Sequence, residues 1–92
     1  MIKNKDVKQI RVSGKSPVPQ LAGSIVKSIE EGFTLEVRAV GASAVNQMYK
    51  SIASARGILA TKGLDIFICP GFDEITDDNV KKTVMVAKIV TK

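Results

Sequence analysis

The hydrophobic periodicity of this 92-residue chain switches between two and about 3.6 residues, and this switching limits the possible folds more than any other feature. Alternating apolar and polar positions predict half-buried strands over residues 8–13 and 33–40. Between them, Ser16 offers an N-cap hydroxyl, Pro17 suits the first helical position and Gly32 supplies a stop. The helix predicted there has one apolar face, formed by Val18, Leu21, Ala22, Ile25, Val26 and Ile29. Because a helix joins them, the two strands are expected to lie parallel, with a right-handed crossover.

A second helix is predicted after a turn at Gly41, opening at Ala42 or Ser43 and running to about Leu59. Its apolar stripe consists of Val45, Met48, Tyr49, Ile52, Ala55 and Leu59. Small side chains elsewhere on this helix would let another backbone approach closely. Packing against the sheet or a partner helix is favoured there over a ligand site.

Two strands complete the predicted fold. The third covers residues 64–69 and is interrupted by Pro70 and Gly71; the fourth covers residues 80–90, and the connection between them is acidic. The order strand, helix, strand, helix, strand, strand predicts an α/β two-layer sandwich, with a four-stranded mixed sheet and two helices on one face. Because the fourth strand is apolar on both faces, a subunit contact is expected on it or along the second helix.

The length predicts a single domain over residues 8–92, after a short basic lead-in at residues 1–7. The chain contains no histidine, which excludes a Ser-His-Asp triad, a His-paired thiol and most zinc centres. No acid–base pair or activated nucleophile occurs at recognisable spacing. We therefore predict that the protein is not an enzyme and that it uses no metal, cofactor or small-molecule substrate. Since no segment resembles a signal peptide or a membrane span, a cytoplasmic protein without a membrane partner is expected.

The positive charge of the chain is unevenly distributed. The net charge is +5, yet residues 1–62 hold ten bases against four acids, and residues 63–92 hold four bases against five acids. The amino-terminal part is therefore the candidate anion-facing part. A nucleic acid or an anionic surface fits this distribution, and ordinary solvated surface charge is the alternative.

Two stretches of the chain resemble the stage V sporulation protein S family. One is Ala39-Val40-Gly41-Ala42-Ser43-Ala44-Val45-Asn46-Gln47, continued by Lys50, Ala53 and Ala55-Arg56-Gly57. The other is Cys69-Pro70-Gly71-Phe72 with Ile75, which is similar to that family's Cys-x-Pro-x-Phe-x-x-Ile strand end. The resemblance covers about residues 8–75. It implies a role in sporulation or developmental regulation.

That family in turn resembles the Alba superfamily of small nucleic-acid-binding proteins, whose fold has the element order predicted above. Gly14-Lys15-Ser16-Pro17-Val18 is similar to the Alba loop of glycine, two lysines, proline and valine after the first strand. Arg38-Ala39-Val40-Gly41-Ala42 is similar to the Alba run of a basic residue, alanine, arginine, glycine and arginine after the second strand. The resemblance implies an Alba-like fold with nucleic acid as the partner.

The candidate binding residues lie where the predicted parallel strands end. Lys15 and the Ser16 hydroxyl precede a helix N-terminus, where an anion is favoured, although Pro17 and Pro19 remove two of its first amides. Arg38 is expected at the same edge of the sheet. The predicted nucleic-acid-binding residues are Lys15, Ser16, Arg38, Asn46, Lys50 and Arg56.

Phosphate contacts through these residues predict salt-sensitive and sequence-tolerant binding of DNA or RNA. With the role implied by the resemblance and the expected subunit contact, the hypothesis is a homodimeric or tetrameric regulatory protein. The alternative is a protein-interaction module that keeps the Alba-like fold and has lost nucleic-acid binding. It is favoured by the four carboxylates of residues 73–78, where the Alba hairpin reaches along DNA, because they would repel phosphates.

Overall fold

The computed structural model describes residues 7–91 and has the predicted order of elements. These are β1 (Val7–Val12), α1 (Val18–Glu30), β2 (Thr34–Ala39), α2 (Ala42–Ala60), β3 (Ile66–Asp77) and β4 (Val80–Thr91). The strands form one four-stranded sheet in the order β1-β2-β4-β3. β1 and β2 are parallel, as the connecting helix predicted, and the other pairs are antiparallel. The predicted lead-in lies outside the described residues except for Val7, which begins β1.

The hydrophobic core lies between the sheet and the two helices. β2 alternates strictly, with Leu35, Val37 and Ala39 buried against the helices and the residues between them on the opposite face, which we call the open face of the sheet. In α1 the predicted apolar face is buried, with Val18 only partly covered. In α2 the prediction for Tyr49 was wrong, because its side chain is 65% exposed. The buried stripe of α2 includes Ala44 and Ser51 instead, which turns Tyr49 to the border of the helix face.

The start of α1 differs from the prediction by one residue. The helix begins at Val18, Pro17 occupies the N-cap, and no side chain caps the helix. The Ser16 hydroxyl instead accepts the backbone N–H of Ser13 at 2.9 Å. Ser16 therefore stabilises the turn between β1 and α1 rather than the helix.

The predicted break at Pro70 and Gly71 is absent, because β3 continues through both residues, paired with β4, to Asp77. β3 is an edge strand, and an edge strand tolerates the missing N–H of a proline because one of its sides has no neighbouring strand. The chain reverses at Asp78 and Asn79, whose positive φ angles of 50° and 63° are typical of a type I′ hairpin turn. Most of the predicted acidic connection is therefore strand.

The last two strands extend past the sheet. β2 pairs with β4 only as far as Met85, so residues 73–84 continue beyond the end of β2 as a two-stranded ribbon, which we call the hairpin arm. Along residues 7–91, no helix combines the length and apolarity needed to cross a membrane.

Candidate nucleic-acid interface

The carboxyl ends of β1 and β2 meet at one edge of the sheet, as parallel strands require. The register pairs Arg11 with Arg38 and Val12 with Ala39, so the turn after β1 and the start of α2 follow side by side. Gly14 in that turn packs so closely on α2 that a Cβ there would stand 2.7 Å from the Cβ of Ser43. This close approach requires glycine.

The turn of residues 13–16 is held by its own hydroxyl groups. The Ser13 hydroxyl accepts the backbone N–H of Lys15 at 3.2 Å, and the Ser16 hydroxyl accepts that of Ser13. Gln47 of α2 donates its side-chain N–H to the Ser16 carbonyl at 2.9 Å. The turn is thereby fixed to α2, and it projects the exposed side chain of Lys15, which has no hydrogen bond or ion pair to any residue from 7 to 91.

The helix dipole at this edge comes from α2. The N-cap of α2 is Gly41, whose φ of 90° suits glycine, and neither a side-chain cap nor an acidic residue in the first turn neutralises the helix end. Its partial positive charge therefore adds to that of Lys15. At the start of α1, Pro17 and Pro19 remove amides, as the sequence indicated.

Arg38 is engaged within the chain. Its guanidinium lies 3.1 Å from the carboxylate of Asp73 and 3.7 Å from that of Glu36, and only 18% of the side chain is exposed. The hydrogen bond from Arg38, with a second from the backbone N–H of Glu74, lowers the pKa of Asp73 below its ordinary value. The predicted site residue thus has its charge compensated.

The predicted residues on α2 are spread over its length. Lys50 is exposed and lies three residues after Gln47, so it is on the side of α2 that contacts the turn of residues 13–16. Within the described part of the chain it has no ion pair. Asn46 is exposed and donates to the Gln47 side chain at 3.4 Å. Arg56 lies ten residues further along than Asn46, about 15 Å along the helix axis. It is bound to Asp65 at 2.8 Å, a hydrogen bond that raises the pKa of Arg56, and it does not join the edge.

Arg11 is the residue that the sequence analysis missed. It is exposed on the open face beside Arg38, and no other described residue forms an ion pair with it. Strand alternation already put Arg11 on the solvated face of β1, but only the register brings it to this edge. We call the surface formed by Arg11, Lys15 and Lys50 the basic edge.

A cleft of about 450 Å³ opens beside Arg11, between the turn and the hairpin arm. It is lined by Arg11, Val12, Ser13, Gly14, Arg38, Ala39, Val40, Ile75 and Val84. Two of the four acidic residues of the arm are paired internally, Asp73 with Arg38 and Asp77 with Lys82 at 3.4 Å. The arm is therefore less anionic than its sequence indicates.

Comparison with known proteins agrees with the resemblances seen in the sequence. The family model described as stage V sporulation protein S matches residues 8–92. Among solved structures, the Alba protein from Thermoplasma volcanium superimposes with a TM-score of 0.61 at 14% sequence identity. The superposition covers 92% of this chain and 99% of that chain, and it establishes an Alba-like fold.

Proposed function

Because the chain belongs to the stage V sporulation protein S family and is thereby a sporulation-related protein, we propose that it acts as a small regulatory protein that binds nucleic acid through the basic edge. The observation that carries this proposal is the fixed turn of residues 13–16, which presents Lys15, without an ion pair among residues 7–91, beside the uncapped end of α2. An uncapped helix end next to a free lysine favours a phosphate group.

The chemistry of the basic edge supports backbone contacts rather than base reading. Free lysine and arginine side chains bind phosphates of any sequence, of DNA or RNA, and release counterions when they do so. Arg38, with two carboxylates beside it, contributes less net charge to such binding. We therefore expect modest, sequence-tolerant affinity that falls steeply with salt.

A titration against duplex DNA, single-stranded DNA and RNA at several salt concentrations tests the proposal. Lys15→Glu should weaken binding to all three and reduce the slope of log affinity against log salt by about 1. Lys27→Glu is the matched control, since Lys27 is an exposed lysine near the other end of α1. Equal losses in both variants, or no binding by the native protein at low salt, would contradict the proposal.

We also propose that the protein is a homo-oligomer, a dimer or tetramer, joined through the surface between α2 and β3. Tyr49 of α2 is 65% exposed and Phe67 of the edge strand β3 is 49% exposed, and both line one apolar pocket. The nearby Arg56 is compensated by Asp65. Two copies of a chain with a net charge of +5 repel each other less across a neutral surface than across a basic one, which supports a second copy as the occupant. The same surface favours the alternative, a protein-interaction module, if the nucleic-acid titration fails.

A further inference from the structure

The cleft between the turn and the hairpin arm combines an apolar wall with two guanidinium groups. The apolar wall is formed by Val40 and Ile75, which are 43% and 40% exposed, and by Val84, which is only 3% exposed and lies apart from the main core. Its volume of about 450 Å³ falls within the range of about 300–1,000 Å³ of small-ligand sites. The cleft adjoins Arg11 of the basic edge.

The guanidinium of Arg38 is held in one orientation at the cleft. Its two terminal nitrogens face different carboxylates, Nη2 that of Asp73 and Nη1 that of Glu36. With its charge compensated, Arg38 contributes a planar surface more than a free cation. Planar guanidinium groups stack on nucleobases, and an apolar wall accepts the face of a base for the same reason.

We propose that this cleft receives one unpaired base of the nucleic acid whose phosphates the basic edge binds, an inference that rests on the proposed function. Val40, Ile75 and Val84 contact the base, Arg38 stacks on it, and Arg11 binds the adjoining phosphate. A base in a continuous duplex is stacked on both faces and paired along one edge, and it cannot enter such a cleft without being extruded. Nucleic acid with an unpaired nucleotide is therefore the preferred ligand over fully paired duplex.

Two DNA duplexes that differ in one nucleotide test this inference. One carries a single bulged 2-aminopurine, whose fluorescence reports its environment, and the other is fully paired. The native protein should bind the bulged duplex about tenfold more tightly, as expected for stacking of one base. Its 2-aminopurine fluorescence should change on binding.

Cleft variants separate this inference from the proposed function. Ile75→Gln makes the wall polar at similar size and should abolish the preference for the bulge, leaving affinity for the paired duplex within about twofold. Val80→Gln, at the tip of the same arm and outside the cleft, should keep the preference.

Each outcome decides one of the two proposals. Equal, salt-dependent affinity of the native protein for both duplexes overturns the base site and leaves phosphate binding in place. A preference that survives in Ile75→Gln also overturns the base site. Absence of binding to either duplex at low salt overturns both proposals. The comparison of the two duplexes with native protein holds even where the variant does not fold.

Discussion

Arg38 of β2 donates a hydrogen bond of 3.1 Å to Asp73 of the hairpin arm, across the intervening strand β4. The register explains the contact, since Arg38 faces Val86 and Asp73 faces Val84, which lies two residues before Val86 in β4 and on the same face of the sheet. The ion pair ties the base of the arm to the centre of the sheet. It also joins a basic residue expected to bind phosphate to an acidic residue expected to repel it.

Replacement of Asp73 by asparagine should increase the affinity for nucleic acid. The change removes one of the two carboxylates that compensate Arg38, beside the basic edge, and we expect severalfold tighter binding at low salt, measured by fluorescence anisotropy. Glu74→Gln is the charge-matched control, because Glu74 is exposed next to Asp73 and has no ion pair in the part of the chain that the structure describes. An equal increase in both variants would mean that net charge alone is responsible.

The same ion pair predicts a pH dependence of stability. Arg38 lowers the pKa of Asp73 in the folded protein. The ion pair therefore stabilises the fold fully at pH values well above the unfolded pKa of about 3.9, and this stabilisation is lost as the pH falls through the folded pKa. The native protein should therefore have a higher thermal midpoint than Asp73→Asn near neutral pH. This difference should shrink as the pH falls below the unfolded value and vanish below the folded pKa, where the carboxylate is protonated in both states. A difference that persists undiminished at such low pH would contradict the assignment.

Gly14→Ala should destabilise the fold, because its Cβ would stand 2.7 Å from that of Ser43. We expect a loss of about 1–3 kcal/mol in the free energy of unfolding, measured by urea denaturation. Gly23→Ala is the control, since Gly23 lies within α1 and, apart from its chain neighbours and the backbone of its own helix, no atom lies within 4 Å of the added Cβ; it should stabilise by about 0.5–1 kcal/mol. Adding Ser43→Gly to Gly14→Ala should recover part of the loss, and no recovery would exclude this contact as the cause.

A charge introduced at Phe67 should dissociate the proposed oligomer. Phe67→Lys puts an uncompensated cation on the apolar surface beside β3, and light scattering after gel filtration should report the mass of a monomer. Val80→Lys, which is similarly exposed at 54% but lies at the tip of the arm, should leave the mass unchanged. A native protein that is already monomeric at high concentration would remove the basis for this prediction.

The order of the elements could be predicted from the sequence because it depends on local periodicity. The apolar residues of α1, from Leu21 to Ile29, lie on one face of the helix, and those of β2 lie on one face of the strand. Each element can therefore bury its apolar residues only by packing that face against the other layer. Local signals were less reliable where tertiary pairing competes with them. Pro70 and Gly71 indicate an interruption, yet pairing of the edge strand with β4 carries β3 through both.

Spacing and composition along the chain were enough to predict the two-layer α/β sandwich and the basic character of the amino-terminal part. The resemblance to the Alba loop, together with its place before a helix, indicated Lys15. Which charges are compensated became clear only in the folded chain. Arg38 is separated from Asp73 by 35 residues, and Arg56 from Asp65 by nine. Whether such residues meet depends on strand register and on the length of the hairpin arm, which no local pattern encodes. The register likewise brought Arg11 to the basic edge, where the proposed functions are to be tested.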